Sequence, residues 1–211
     1  MSSTKSFGPE RFHRHAFVWF SAEDAHFQSD SSLRDWLEPG RPLIVRRPCL
    51  SADGSEVCVG LALPPNPIKQ RIAYSLPRAL VREVSAPPLW KDCSTDLEPL
   101  QLAAEAGGAE LRTFGSHAWQ HLTGLPYVTE TSDIDLLLFL NCRQCWETIS
   151  QSLEQVCALK EPGIDLEIVL SGDASFSWRE FVGPSTRVLF KGNSRVWLGE
   201  KSDIVDCLPG K

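Results

Sequence analysis

The sequence contains no apolar run near the roughly 20 residues that a membrane-spanning helix needs. Its first residues, Met1 to Lys5, lack the apolar core of a secretory signal. Internal repeats and low-complexity tracts are absent as well. These absences predict a globular protein of the cytoplasm that has no membrane partner.

A regular cysteine framework is also missing, although the chain has seven cysteines. Their number is odd and their spacing irregular, so we predict free thiols in a reducing compartment and not disulfides. Cys142 and Cys145 have the spacing of half a zinc site, but no second Cys/His pair follows at finger-like spacing. Packing roles are therefore predicted for these two cysteines.

Basic residues are fewer than acidic residues in this chain. The chain has 21 Lys and Arg residues against 27 Asp and Glu residues, a formal net charge of −6 and a pI near 5.4. Nucleic-acid-binding proteins usually show a basic footprint, so nucleic acid is not a predicted partner, although a local basic pocket is compatible with this balance. The apolar content of 42% and charged content of 23% are typical of a globular protein.

The length of 211 residues suffices for one large domain or two small ones, and the Pro-rich joint at residues 86–88 predicts a boundary. We place an N-terminal domain at residues 1–88 and a catalytic domain at residues 95–211. Short alternating elements predict the α/β class, with α+β as the alternative: a small α/β domain, then a mixed sheet flanked by helices. The predicted strands cover residues 17–20, 42–47, 57–63, 111–114, 133–140 and 164–170, and the predicted helices cover 32–37, 100–107, 118–122 and 146–159.

Two short motifs in the second half carry the chemistry. Gly115 and Ser116 form a turn that opens a helix, and the backbone N–H groups of a helix N-terminus bind phosphate well. Asp133 and Asp135 are two residues apart at the head of an apolar strand, so both carboxylates point to one face. Adjacent carboxylates repel unless a cation separates them, and oxygen ligands favour Mg²⁺, with Mn²⁺ as the alternative. The combination predicts phosphoryl or nucleotidyl transfer.

A further acidic strand offers a third carboxylate. Asp165 and Glu167 alternate with aliphatic residues in the strand that starts at Ile164. Two-metal phosphoryl transfer needs about three carboxylates, and Asp165 is favoured because, like Asp133 and Asp135, it lies near the start of its strand. Glu167 remains the alternative third carboxylate. Alternating acids are equally typical of the exposed face of a half-buried sheet. Their spacing alone therefore does not distinguish a metal-binding role from simple solvent exposure.

The Gly-Ser turn, the Asp-x-Asp strand and the third acidic strand together resemble the nucleotidyltransferase superfamily. The wider sequence is similar to the phosphoribosyl-dephospho-CoA transferases of malonate decarboxylase systems, also called holo-acyl-carrier-protein synthases. Two departures stand out: the segment from His117 to Ser132 is longer than in typical superfamily members, and Ala16 replaces the expected acidic residue after Arg14-His15. The matching segments are residues 14–19, 40–47, 60–65, 69–73, 114–120, 122–127, 131–137 and 178–180.

The resemblance implies a definite reaction and partner. The donor would be triphosphoribosyl-dephospho-CoA, and the acceptor a serine of the apo acyl-carrier subunit of malonate decarboxylase, with diphosphate released. Asp133 and Asp135 would hold the metals, and Asp165 or Glu167 would share one metal and help the serine lose its proton. Gly115 and Ser116 would cradle the terminal phosphates.

Two alternatives stay open from the sequence. A nucleotidyltransferase with the same fold could act on another protein or on a small-molecule acceptor. A catalytically inactive binding module is disfavoured because a degenerate site would be free to lose the costly charges of Asp133 and Asp135.

Four basic residues of the N-terminal domain are candidates for binding the donor phosphates, since arginine binds phosphate through two parallel hydrogen bonds. They are Arg46, Arg47, Lys69 and Arg71. For each of them, plain surface solubility is the competing interpretation. Trp119 and Trp178 are predicted to be core residues, with stacking on adenine as the alternative.

Overall fold

The computed structural model describes residues 12–27, 29–65, 70–140, 146, 149–150, 153, 163–170 and 174–207, the side chains of the last helix as far as 204. The chain divides into two compact units. The first comprises Met1–Pro87 with Leu122–Leu125, and the second comprises Pro88–His121 with Pro126–Lys211. Within the described ranges, no helix is both long enough and apolar enough to cross a membrane.

The first unit is built on an antiparallel five-stranded sheet in the order β4-β3-β2-β1-β5. Alternating side chains bury one face, as Val45 and its cross-strand partner Val59 show. The helix at Ser31–Leu37 follows Asp30, whose Oδ1 accepts a hydrogen bond from Leu33 N at 3.0 Å and caps the helix N-terminus. The elements are β1 (Phe17–Trp19), α1 (Ser31–Leu37), β2 (Leu43–Leu50), β3 (Glu56–Ala62), β4 (Arg71–Pro77) and β5 (Glu83–Ser85), with 3₁₀ turns at Ala25–Phe27 and Arg78–Leu80.

The second unit contains a six-stranded sheet in the order β11-β10-β9-β8-β7-β6. Its elements are α2 (Trp90–Cys93), α3 (Glu98–Ala106), β6 (Glu110–Thr113), α4 (Gly115–Thr123), β7 (Ile134–Phe139), β8 (Ile164–Val169), β9 (Ser175–Ser177), α5 (Trp178–Val182), β10 (Arg187–Lys191), β11 (Val196–Glu200) and α6 (Ser202–Cys207). Strands β7 and β8 are parallel, whereas the other neighbouring pairs are antiparallel. The predicted α/β class is confirmed, and this sheet is mixed, as expected.

One face of the second sheet forms the core of its unit. Leu136 and Leu138 of β7 and Ile168 of β8 are fully buried there, together with Leu100 of α3. Each such side chain contributes about 1.5–3 kcal/mol through removal of its apolar surface from water. The alternate positions of β7 and β8 point to the opposite face, and that face carries the acidic residues.

Most of the predicted helix over residues 146–159 lies outside the described part of the chain. Cys142 and Cys145 also lie outside it. Ile149 and Leu153 are described, and both are fully buried in the core of the second unit.

Candidate active site

Asp135 is fixed in place through its backbone. Its carbonyl oxygen accepts hydrogen bonds from the Phe114 N–H at 3.1 Å and from the Thr113 hydroxyl at 2.8 Å. Thr113 is fully buried at the end of β6, directly before α4. The junction between β6 and α4 therefore sets the position of Asp135 on β7.

The carboxylate of Asp135 lies against the start of α4. Gly115 has a φ of +61°, and a Cβ added there would collide with Asp135 Oδ2 and lie 2.7 Å from Asp135 Cγ. Only glycine meets both requirements, because it tolerates the left-handed backbone and leaves room for the carboxylate. The N-terminus of a helix is also a favourable place for negative charge. Ser116 follows in the first turn and is buried.

The carboxylate of Asp133 also lies against a glycine that leaves room for it. A Cβ on Gly163 would collide with Asp133 Oδ1 and lie 3.2 Å from Asp133 Cγ. The Gly163 carbonyl accepts a hydrogen bond from Ile134 N at 2.7 Å, which begins the pairing of β7 with β8. Gly163 thus joins the two strands and leaves space for Asp133.

The strand register brings a third aspartate beside Asp135. Asp135 of β7 is the direct partner of Asp165 in β8. Neighbouring strands lie about 4.8 Å apart, and direct partners in a parallel pair point to the same face. Asp133 lies two residues before Asp135 and faces the same way. Three carboxylates are therefore gathered at one end of two neighbouring strands.

Glu167 is in a different environment. It is 3% exposed and pairs with Leu137, two residue pairs beyond Asp135 and Asp165 along the strands. Its carboxylate accepts hydrogen bonds from Lys191 Nζ at 2.7 Å and from Ser175 Oγ at 2.9 Å. A buried carboxylate needs a cation and hydrogen bonds, and Glu167 has both. Asp165, by contrast, is exposed.

The donor set fits a hard divalent cation by its chemistry, since carboxylate oxygens are the ligands that Mg²⁺ prefers. Among the described residues, however, no group of three or more His, Cys, Asp or Glu side chains is arranged to hold a metal ion. The backbone positions of Asp133, Asp135 and Asp165 bring the carboxylates together, whereas their side-chain conformations do not form a closed cage.

The predicted basic residues of the first unit are dispersed. Arg46 donates from Nε to the Val59 carbonyl at 3.3 Å and from Nη1 to the Arg47 carbonyl at 3.4 Å, so backbone carbonyls hold its guanidinium. Arg71 is exposed on the edge strand β4, and β3 separates it from Arg46 and Arg47 on β2. Lys69 lies outside the described residues.

The segment between α4 and Asp133 is held by side chains that the sequence analysis did not single out. Gln120 Oε1 accepts hydrogen bonds from the backbone N–H groups of Tyr127 at 3.2 Å and Val128 at 3.0 Å. A turn follows in which Thr129 N donates to Ser132 Oγ at 3.0 Å. These contacts order the long segment that leads into Asp133.

The aromatic residues near α4 and α5 are packing residues. Trp119 stacks on Tyr127, and Trp178 stacks on Phe181, with ring centroids 5.9 Å and 5.7 Å apart respectively. Both tryptophans are buried. Because both rings are packed against other aromatic rings and buried, the structure favours their core role. His117 packs edge-on against Trp90, and burial lowers the pKa of its imidazole.

A further basic residue contacts the backbone next to Asp165. Arg179 of α5 donates from Nη2 to the carbonyl oxygen of Ile164 at 3.2 Å, and Ile164 directly precedes Asp165. The sequence analysis gave Arg179 no role, because nothing local in the sequence connects it with β8.

Two family models together match most of the chain. The model described as phosphoribosyl-dephospho-CoA transferase MdcG N-terminal domain matches residues 13–87, and the model for the C-terminal domain of the same transferase matches residues 79–202. The second match contains all the carboxylates discussed above and the Gly115-Ser116 turn.

Curated relatives have the same name. A protein named phosphoribosyl-dephospho-CoA transferase from Xanthomonas campestris pv. campestris (strain 8004) is 37% identical over 199 residues, which cover 85% of this chain and 90% of the relative. Proteins of that name from Xanthomonas euvesicatoria pv. vesicatoria (strain 85-10) and Bradyrhizobium diazoefficiens are 36% and 30% identical, covering 85% and 91% of this chain and 90% and 89% of the relative. No solved structure gave a significant match.

Proposed function

Because this chain belongs to the phosphoribosyl-dephospho-CoA transferase family and is a transferase, we propose its complete reaction. The phosphoribosyl-dephospho-CoA group passes from triphosphoribosyl-dephospho-CoA to a serine hydroxyl of the apo acyl-carrier subunit of malonate decarboxylase, and diphosphate is released. The observation that carries the proposal is the pairing of Asp135 with Asp165 beside the glycine that opens α4.

The proposed roles follow from position. Asp133, Asp135 and Asp165 hold Mg²⁺, or Mn²⁺ in its place, and a bound divalent ion would offset the charge of the phosphates. The N-terminus of α4, with Gly115 and Ser116, binds the terminal phosphates through its backbone N–H groups. As the serine oxygen bonds to phosphorus, the bond to diphosphate breaks, and the serine proton passes to a carboxylate of the site.

Asp165 is proposed as the third carboxylate in preference to Glu167. Asp165 is the direct neighbour of Asp135 and is exposed, so its carboxylate can turn toward a ligand. Glu167 is buried and already balances the charge of Lys191. Drawing Glu167 into a metal site would leave Lys191 without its counter-charge, which is unfavourable for a partly buried pair.

The basic residues of the first unit are proposed to bind the donor. Arg71 is exposed at the start of β4, which suits a phosphate contact. Arg46 is oriented by the two carbonyl groups that it contacts, and an oriented guanidinium loses less entropy when it binds an anion. Arg47 and Lys69 complete this proposed group.

We propose the cytoplasm as the site of action. Among the described cysteines, Cys58 and Cys93 are free thiols, which a reducing compartment would preserve.

Mass spectrometry of the apo carrier tests the proposal. The carrier, the donor, Mg²⁺ and the purified protein are incubated together, and the carrier should gain the mass of one phosphoribosyl-dephospho-CoA group on a serine. Asp135→Asn should abolish the gain, whereas Asp92→Asn, which changes an exposed acid outside the site, should preserve it.

Two outcomes would count against the proposal. If the wild-type protein releases diphosphate from the donor with another protein or a small molecule but never modifies the carrier, the acceptor is wrong. If Asp135→Asn modifies the carrier at the wild-type rate, the site is wrong.

A further inference from the structure

Arg179 occupies the place that a longer β9 would have filled. Successive carbonyl groups of a strand point to opposite sides, and the Gly163 carbonyl points to β7, where Ile134 N donates to it. The Ile164 carbonyl therefore points toward β9. That strand pairs with β8 only as far as Glu167 and Ser177, and α5 begins at the next residue. Arg179 supplies the missing donor from the first turn of α5.

This contact holds the guanidinium beside the backbone that leads into Asp165. Nη2 of Arg179 lies 3.2 Å from the Ile164 oxygen, and that oxygen belongs to the peptide group that begins Asp165. Going across the end of the sheet, the order is the N-terminus of α4, then Asp135, then Asp165, then Arg179. The N-terminus of α4, which we propose to bind phosphate, and Arg179 therefore lie on opposite sides of the two strands that carry Asp135 and Asp165.

The chemistry of the contact leaves Arg179 able to bind an anion. A guanidinium has five N–H donors in one plane, and a carbonyl oxygen takes one of them without neutralising the charge. The residue is exposed, so its remaining donors are accessible to a ligand. Two parallel N–H groups match the geometry of a phosphate.

We propose that Arg179 binds the diphosphate portion of the donor and holds the diphosphate as it leaves; this inference rests on the proposed function. The serine oxygen forms a bond to the phosphorus next to the ribose, and the bond from that phosphorus to the diphosphate oxygen breaks. The electron pair of the broken bond stays on that oxygen, where Arg179 donates hydrogen bonds. The serine proton passes to a site carboxylate.

Calorimetric titration of inorganic diphosphate, in the presence of Mg²⁺, tests this role without the carrier or the donor. We expect Arg179→Ala to weaken diphosphate binding about 10- to 100-fold, since a hydrogen bond to a charged group contributes about 1.5–3 kcal/mol. Arg179→Lys should weaken it less, because lysine keeps the charge but loses the bidentate geometry. Arg187→Ala is the matched control, since Arg187 is exposed on β10 and pairs with Glu200 at 3.4 Å.

If Arg179 had only a structural role, its substitution would change thermal stability and not diphosphate affinity. If Arg179 only completes the end of β8, Arg179→Ala lowers the midpoint of thermal unfolding and binds diphosphate like the wild type, which overturns the proposal. Absence of diphosphate binding by the wild-type protein at millimolar concentration overturns it as well. If Arg179→Ala fails to fold, the diphosphate affinity of Arg179→Lys is the test. Wild-type diphosphate affinity in Arg179→Lys counts against bidentate binding by Arg179.

The same titration separates this inference from the proposed function. If diphosphate binds through Arg179 but the carrier is never modified, the acceptor is wrong and the role of Arg179 stands. If the carrier is modified while Arg179→Ala shows wild-type diphosphate affinity, the function stands and the role of Arg179 is wrong.

Discussion

Gly115 offers the sharpest test of how the site is built. An alanine there would adopt a left-handed backbone at a φ of +61°, which costs about 1–2 kcal/mol. Its Cβ would also collide with Asp135 Oδ2 and lie 2.7 Å from Asp135 Cγ, closer than real Cβ contacts come, so the carboxylate must move. A shift of about 1 Å at a reacting centre lowers the rate about 100-fold.

Gly124→Ala is the matched control for this substitution. Gly124 has a φ of +68°, and a Cβ there would meet nothing within 4 Å. Both variants therefore carry the same backbone strain, but only Gly115→Ala displaces Asp135. We expect each to lose about 1–2 kcal/mol of unfolding free energy in urea titrations from that strain, with a further loss from the clash in Gly115→Ala.

Rates of transfer to the carrier separate the two variants. Gly124→Ala should transfer at close to the wild-type rate, and Gly115→Ala should lose about 100-fold in kcat/KM. If Gly115→Ala and Gly124→Ala are equally active, the position of Asp135 against α4 does not matter for catalysis, and the reasoning fails.

Three further predictions follow from neighbouring contacts. Gly163→Ala should displace Asp133 and lower kcat/KM at least 10-fold, whereas Gly60→Ala, whose Cβ would have ordinary contacts of 3.6 Å or more, should not. Lys191→Met should lower the unfolding free energy by roughly 3 kcal/mol in urea, because it removes the cation that contacts the buried Glu167 carboxylate; an unchanged value would contradict the pairing. The imidazole of His117 should titrate in NMR below its ordinary pKa of 6.5, because burial disfavours its charged form. Its folded-state pKa is lowered, so its protonation opposes folding, and stability should fall as the pH drops from about 6.5 through that lower pKa; His117→Phe should remove this dependence.

The sequence predicted the parts of the site that have local signals. A Gly-Ser turn before a helix and two aspartates at the head of an apolar strand are patterns of a few residues. They located α4 and β7, and the two-residue period of a strand placed Asp133 and Asp135 on one face. The alternation of Asp165 and Glu167 located β8 in the same way.

The choice between Asp165 and Glu167 needed the strand register. Pairing of β7 with β8 is parallel and joins segments about 30 residues apart, so no local pattern fixes it. The register depends on the contact between Ile134 N and the Gly163 carbonyl. In the sequence, Gly163 directly precedes the acidic strand, and nothing in its neighbourhood shows that it leaves space for Asp133.

Strand β9 and the contact that Arg179 makes were not predicted from sequence, for a related reason. Strand β9 has only three residues and is followed at once by α5, so no alternating pattern develops. The role of Arg179 depends on where β9 stops beside β8. Such a position is determined by tertiary pairing and is invisible in a local window of sequence.

The most direct test of the carboxylate site is the rate of carrier modification by Asp165→Asn, followed by mass spectrometry under the conditions that modify the carrier with the wild-type protein. This variant should fold normally, as judged by circular dichroism and its urea midpoint, and should add no phosphoribosyl-dephospho-CoA group to the carrier. Modification at the wild-type rate by Asp165→Asn would show that this carboxylate takes no part in the reaction.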